Sequence, residues 1–191
     1  MEKIYFGDSK KRYYGIVRDT GKKYIRGMNI IRKDTPEFMK GALNKIAEFA
    51  VREKLSVQHL IALREKLESV NYKEIGISKS FTKKFDEYIK TMPQHVKASV
   101  WANEKLNTTI KNTDNPYLFY IKSNCEEDMK SRDRQTAICL NEEDLHLVDK
   151  RKDVFELDYD IFFKKQVLDQ LKEFNKIESV KNILEEYKEI N

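Results

Sequence analysis

The spacing of apolar residues along this 191-residue chain changes near Asp34, and that change limits the folds open to it. Before it, β-prone runs such as Tyr-Tyr-Gly-Ile-Val at residues 13–17 alternate with turn signals such as Asp-Thr-Gly at residues 19–21, which predicts a hairpin. After it, apolar residues recur at the period of an amphipathic helix. The pattern predicts an α+β protein, with a small antiparallel β element over residues 1–34 and a mainly helical domain over residues 35–191.

Start signals divide the helical part into elements. Thr35 followed by Pro36 predicts an N-cap and a first helical residue. Further helix starts are predicted at Ser56, at Ser78 or Ser80, at Pro93 and at Asp158. One short strand is expected inside this part, at residues 117–121, where Tyr-Leu-Phe-Tyr-Ile is β-prone.

Charge is distributed unevenly along the sequence. Residues 1–40 carry 11 basic and 5 acidic side chains, residues 41–120 carry 13 and 9, and residues 121–191 carry 13 and 18. The first 120 residues therefore have a net charge of +10 and the remainder −5, against +5 for the whole chain. A basic surface is what a polyanion partner requires, although many basic domains bind no nucleic acid.

Other features of the sequence exclude several protein classes. No run of 18 apolar residues is present, so no membrane-spanning helix is expected, and the first residues lack the apolar stretch of a secretion signal. Cys125 and Cys139 have no zinc-type spacing and are expected to be reduced thiols. Together these features predict an intracellular protein.

Residues 10–15, Lys-Lys-Arg-Tyr-Tyr-Gly, form the densest functional signal. Three cations beside two aromatic rings can bind phosphates and pack on a sugar or a base. The alternative is a solvated strand end with tyrosines in the core. Short basic runs are common, so this alternative is favoured when the residues are considered by themselves.

Five short segments, at residues 10–15, 26–36, 77–81, 93–98 and 157–167, stand in an order that is more specific than any one of them. They resemble five segments of family B DNA polymerases. Residues 10–15 resemble the Lys-Lys-x-Tyr-x-Gly element, and residues 26–36 resemble the junction from Lys-Gly to Val-Arg-Arg-Asp. Residues 77–81, 93–98 and 157–167 resemble, respectively, the segments Ile-Thr-Lys-Ser-Leu, Gln-Pro-His-Val and Asp-Tyr-x-Tyr-Tyr-x-x-Lys-Gln-Ile. These lie where the palm ends and the thumb begins. Arg26 and Lys33 depart from the usual Lys and Arg, and residues 122–156 depart most. The similarity is greatest to polymerases of large DNA viruses.

The resemblance implies the C-terminal part of a DNA-directed DNA polymerase that grips primer–template duplex during replication. Residues 1–34 would be the end of the palm and residues 35–191 the thumb. Lys11 and Tyr13 would lie along the primer strand near its 3′ end. The full set of implied DNA-binding residues is Lys10, Lys11, Arg12, Tyr13, Arg32, Lys79, His95 and Lys97. Contacts to phosphates are expected rather than base readout, because a polymerase binds any sequence.

The catalytic residues of that family are not expected here. Its two metal ions need at least two well-placed carboxylates. Residues 5–9, Tyr-Phe-Gly-Asp-Ser, resemble the metal motif only superficially, because Asp8 has no second acid beside it and Gly-Asp-Ser favours a turn. We therefore expect no catalytic or metal-binding residue and no bound cofactor in this chain, Mg²⁺ in the full polymerase, and no activity of the chain alone.

The implied partners are primer–template DNA and the polypeptide that supplies the rest of the palm, the fingers and the exonuclease. The acidic residues 178–191 fit the last solvated turns of a thumb helix, with docking of a processivity factor as the alternative. A viral source would place the protein in the host nucleus or cytoplasm. Two rival functions remain: a stand-alone, sequence-nonspecific DNA-binding accessory protein without catalysis, and a helical interaction protein whose basic half binds RNA or an acidic protein.

Overall fold

The β-prone residues at the start of the chain pair into a three-stranded antiparallel sheet. Its strands are β1 (Lys3–Phe6), β2 (Tyr13–Ile16) and β3 (Lys23–Arg26), with β2 in the centre. The hairpin between β2 and β3 is closed by the backbone N–H of Gly21, which donates to the carbonyl of Val17 at 2.9 Å. The hairpin predicted from the sequence is therefore confirmed.

The computed structural model describes residues 3–8, 11–28, 32–123 and 134–190. They form two compact units, the first made of Met1–Val70 with Phe163–Asn191 and the second of Asn71–Phe162. The change from strand to helix near Asp34 is thus a change of secondary structure inside the first unit. The physical reason is that the inner side of the sheet, which bears Tyr5 and Tyr14, packs against Phe174 from far along the chain.

Helices complete the first unit. They are α1 (Glu37–Val51), α2 (Val57–Leu67) and the helical segment after Phe162. That segment follows from α6 (Tyr159–Phe163), whose first four residues belong to the second unit, and contains a π-helical turn (Lys164–Leu168), α7 (Asp169–Leu171) and a 3-10 turn (Lys172–Phe174). It is followed by α8 (Glu178–Ile190). α8 packs against α2. The core of the unit is built from buried residues of these helices and of β2: Tyr14, Ile16, Met39, Leu43, Leu60, Val167, Leu171, Phe174 and Val180.

The starts of two predicted helices differ in detail from the expectation. Pro36 is the N-cap of α1, and the Thr35 side chain instead accepts the backbone N–H of Arg32 at 2.7 Å, so the prediction of Thr35 as N-cap was wrong. Ser56 is the N-cap of α2, as predicted, and its backbone N–H donates to Nδ1 of His59 at 3.0 Å.

The second unit is organised around a three-stranded sheet in the order β4 (Ile77–Ser78), β5 (Tyr117–Tyr120) and β6 (Ala137–Leu140). The short strand expected at residues 117–121 is thereby confirmed, and it is the central strand. Three helices accompany the sheet: α3 (Tyr72–Ile75), α4 (Gln94–Leu106), which packs on β6, and α5 (Leu147–Lys150). The α+β class is confirmed.

The predicted short helix from Ser78 or Ser80 through Ile89 was wrong. Ile77 pairs with Leu118 in the sheet, and the backbone N–H of Lys79 donates to the carbonyl of Pro116 at 2.9 Å. Helical hydrogen bonding in this stretch is limited to a 3-10 turn at Phe85–Glu87. Pairing with β5 holds residues 77–79 in an extended conformation, so no helix begins at Ser78. In the described ranges, no helix is long and apolar enough to cross a membrane.

Candidate nucleic-acid interface

The two tyrosines of the basic motif point to opposite sides of β2, because successive side chains of a strand alternate. Tyr14 is fully buried, and its ring meets the edge of Phe174 at a centroid distance of 6.1 Å. Burial, followed by the charge of Glu48, raises the pKa of Tyr14 to about 12, and its hydroxyl has no hydrogen-bond partner among the described residues. Tyr13 is half-buried on the other side. The hypothesis of core tyrosines therefore holds for Tyr14 alone.

Lys11 and Arg12 lie in the turn that leads into β2, and both are exposed. Within the described part of the chain, neither has a carboxylate at ion-pair distance. The turn is held by its backbone, since the N–H of Gly7 donates to the Arg12 carbonyl at 2.8 Å. Gly27 approaches from the other side with a φ of +67°, and a Cβ there would lie 2.7 Å from the Lys11 carbonyl oxygen. Both cations are thus presented to solvent on a fixed backbone.

The register of the sheet gathers further residues around Tyr13. Tyr13 stands opposite both Phe6 and Arg26, so these three side chains share one side of the sheet, and the rings of Phe6 and Tyr13 lie 6.4 Å apart. The next row on that side contains Ile4 and Tyr24. We call these five residues the outer face. Apart from Tyr13, none of them was predicted from the sequence as a DNA-binding residue. The reason is that the alternation of side chains is visible in a sequence, whereas the pairing of strands is not.

A small cleft of about 170 Å³ adjoins the basic turn and contains charges of both signs. Asp8 lines it and lies 3.9 Å from the ammonium of Lys176, which also donates to the Gly7 carbonyl at 2.7 Å. Among the described residues, no group of three or more His, Cys, Asp or Glu could hold a metal ion. The donor set around Asp8 therefore does not fit the Mg²⁺ ions that the family resemblance implies for a full polymerase.

Arg32 and Lys10 are the other predicted DNA-binding residues of the first unit. Arg32 is exposed, and its backbone is fixed by the bond to Thr35 described above. Lys10 lies outside the described residues.

Cys139 belongs to the second unit and is the cysteine that the structure describes. It is fully buried, and burial raises the pKa of its thiol to about 12. A thiol with that pKa is protonated at neutral pH and is not a nucleophile.

Lys79 and His95 lie close together in the second unit. Nε2 of His95 donates to the carbonyl of Ser80 at 3.1 Å, and its ring stacks on Phe81 at 5.3 Å. Burial lowers the pKa of His95, and the positive charge of Lys79 lowers it further. The imidazole is therefore neutral at pH 7, with a lone pair on Nδ1, and it cannot donate a second proton to a phosphate. Its contribution is to hold the segment that contains Lys79.

Lys97 follows on α4, but it does not share a helix face with His95, because residues two apart are not neighbours on a helix. Its ammonium donates to the carbonyl of Arg134 at 3.2 Å, which leaves two of its three donors for another ligand. The segment before α4 contains three more exposed lysines that the sequence reasoning did not single out: Lys83, Lys84 and Lys90. Five lysines of residues 79–97, against the two exposed acids Asp86 and Glu87, make this part of the second unit a basic surface.

Comparison with known proteins identifies the family. DNA polymerase 1 of Saccharolobus solfataricus is 31% identical over 109 residues, which cover 51% of this chain and 12% of that protein. The DNA polymerase of Archaeoglobus fulgidus is 35% identical over 100 residues (50% and 12%), and DNA polymerase 1 of Aeropyrum pernix is 30% identical over 132 residues (63% and 13%). The chain thus matches only a small part of the length of these relatives. Because the family model for DNA polymerase family B matches residues 1–177, the chain belongs to that family.

Proposed function

We propose that this chain is the palm-end and thumb part of a family B DNA polymerase and that it holds primer–template duplex by its sugar–phosphate backbone. The observation that carries the proposal is the exposure of Lys11 and Arg12, without described ionic partners, beside the half-buried ring of Tyr13. Exposed cations outside ion pairs are available to phosphates, and their binding is independent of base sequence.

The second unit contributes to the same function through its own basic surface. Lys79 and Lys97 are the proposed phosphate ligands there, and Lys83, Lys84 and Lys90 add positive charge. His95 acts by positioning the segment of Lys79 and Ser80 rather than by contacting DNA with a charge. Arg32 is a proposed phosphate ligand of the first unit, next to the start of α1.

Two further predictions concern the role of α8 and the source of the protein. The apolar side of α8 is buried at Val180, Ile183 and Tyr187, which favours a packing helix over a docking site for a processivity factor. A viral source stays a prediction, since the relatives described above are archaeal.

Mutation of the basic motif tests the proposed function. We expect Lys11→Ala combined with Tyr13→Ala to weaken binding of the 191-residue chain to a primer–template duplex by about ten- to hundredfold, because a phosphate contact and a ring contact are lost together. Fluorescence anisotropy with a labelled duplex measures this. Lys188→Ala removes one exposed lysine of α8 and serves as the charge-matched control. If the double variant binds as tightly as the control, the proposed grip is wrong.

A second test addresses catalysis. We expect the purified chain to extend no primer in the presence of Mg²⁺ and all four nucleotides, because the carboxylates for two metal ions are proposed to lie in the remaining polypeptide. A primer-extension gel, with an active polymerase as positive control, checks this. Extension that persists in an Asp8→Asn preparation, as well as in the parent chain, would exclude Asp8 as its source and show that other carboxylates of this chain catalyse the reaction.

The rival accessory-protein function predicts the same binding results. The two functions are separated by the coding region upstream. A reading frame that encodes Asp-Thr-Asp and a Lys-x-x-x-Asn-x-x-Tyr-Gly helix supports a polymerase part, and a region without them supports the accessory protein.

A further inference from the structure

We infer that the outer face (Ile4, Phe6, Tyr13, Tyr24 and Arg26) is a DNA-binding platform that extends the basic turn, with Arg26 binding a backbone phosphate and Phe6 packing on an adjacent sugar. The inference rests on the proposed function, and it adds Phe6 and Arg26 to the contact. It extends to β1 and β3 a role that the sequence motif gives to the turn before β2 and to Tyr13.

The first observation is the exposure of apolar side chains on this face. Phe6 is 56% exposed, Ile4 43% and Tyr24 42%. Ordinary protein surfaces expose large apolar side chains singly, so a row of neighbouring ones left in water is a departure from them. Contiguous exposed apolar residues rimmed by charge mark interaction sites.

The second observation is the sign of the surrounding charge. The three strands contain no acidic residue, and Arg26 is their cation on the outer face. Lys3 lies on the opposite side of the sheet and is paired with Glu53 at 3.2 Å. Arg26 stands opposite Tyr13, at the same end of the sheet as Lys11 and Arg12. Arg26, like these two, has no ion pair with a described carboxylate. A surface with apolar rings and unneutralised cations is complementary to the sugar–phosphate backbone of a nucleic acid.

The third observation is the geometry of the rings. The ring planes of Phe6 and Tyr13 are tilted by 57° at a centroid distance of 6.4 Å, so they form an angled pair rather than a closed stack. Tyr24, in the next row, lies under the ammonium of Lys22 at 5.1 Å. Aromatic side chains on a sheet beside basic residues can contact successive nucleotides without regard to sequence. This tolerance is what a polymerase contact requires.

Two substitutions separate the roles of the cation and the ring. We expect Arg26→Ala to lower the affinity for a primer–template duplex several-fold and to reduce the slope of log affinity against log salt by about 0.9, because one phosphate contact is lost. We expect Phe6→Ser to lower the affinity to a similar extent and to leave the slope unchanged, because an apolar contact releases no counterions. Anisotropy titrations at four salt concentrations measure both quantities.

The opposite side of the same sheet provides the matched control. Ile25 is 38% exposed and adjoins Arg26 in β3, but its side chain lies on the other side of the sheet. Ile25→Ser is expected to leave affinity and slope unchanged. Arg26→Lys is expected to retain the slope. Thermal unfolding of each variant verifies folding, and Arg26→Ala, which removes an exposed side chain, carries the test if Phe6→Ser does not fold.

The outcomes distinguish this inference from the proposed function. If Lys11→Ala with Tyr13→Ala weakens binding while Arg26→Ala and Phe6→Ser behave as Ile25→Ser does, the outer face does not bind DNA, and the proposed function stands. Its exposed rings would then be covered by another polypeptide. If none of these variants weakens binding, both are wrong. If Arg26→Ala weakens binding without changing the slope, the phosphate role of Arg26 is wrong.

Discussion

Replacement of Phe174 by Ala is expected to lower the free energy of unfolding by about 3–5 kcal/mol, because it removes a large ring from a packed core and leaves a cavity. Phe174 is fully buried between two tyrosines of the sheet, with centroid distances of 5.1 Å to Tyr5 and 6.1 Å to Tyr14. The hydroxyl of Tyr5 also donates to the carbonyl of Glu173 at 2.8 Å. Urea denaturation followed by circular dichroism measures the effect.

Phe6→Ala is the control for this prediction, because it deletes the same ring from an exposed position of β1. We expect it to cost less than about 1 kcal/mol. Equal losses for Phe174→Ala and Phe6→Ala would show that the C-terminal segment does not pack on the sheet. The packing of Phe174 on the sheet also means that residues 1–34 alone would leave the inner side of the sheet uncovered. The change of sequence pattern near Asp34 therefore does not mark a part that folds by itself.

Substitution of Gly27 by Ala is expected to cost about 2–3 kcal/mol in unfolding free energy and to weaken duplex binding as well. A residue with a Cβ is strained by about 1–2 kcal/mol at a φ of +67°. The added Cβ would also lie 2.7 Å from the Lys11 carbonyl oxygen, so the backbone that presents Lys11 has to move. Denaturation and anisotropy on the same preparation measure both effects.

Gly21→Ala separates strain from displacement. Gly21 has a nearly identical φ of +64°, but no atom lies within 4 Å of the position of its Cβ. We expect a loss of about 1 kcal/mol in stability and unchanged affinity for DNA. Equal effects of Gly21→Ala and Gly27→Ala on affinity would mean that the close approach of Gly27 to Lys11 has no part in binding.

Local patterns in the sequence were sufficient where one element determines its own structure. Pro93 predicted the start of α4, and Asp-Thr-Gly at residues 19–21 predicted the β2–β3 hairpin. In the sheet of the second unit, such patterns predicted β5 but not the other two strands. β4 contains two residues, and it is a strand only because Ile77 pairs with Leu118 far along the chain. The apolar spacing after it resembles a helix, but the stretch up to Ile89 forms a 3-10 turn at Phe85–Glu87 instead.

The sequence by itself determined the α+β class, the family, and the placement of Tyr13 and Tyr14 on opposite sides of a strand. The family followed from the order of five motifs. The tertiary structure decided which of the two tyrosines is buried, because helical residues from the far end of the chain, including Phe174, cover one side of the sheet. It also brought Arg26 and Phe6 beside Tyr13. The physical reason is that side-chain alternation is a local property of a strand, whereas register and burial depend on contacts between residues that are distant in sequence.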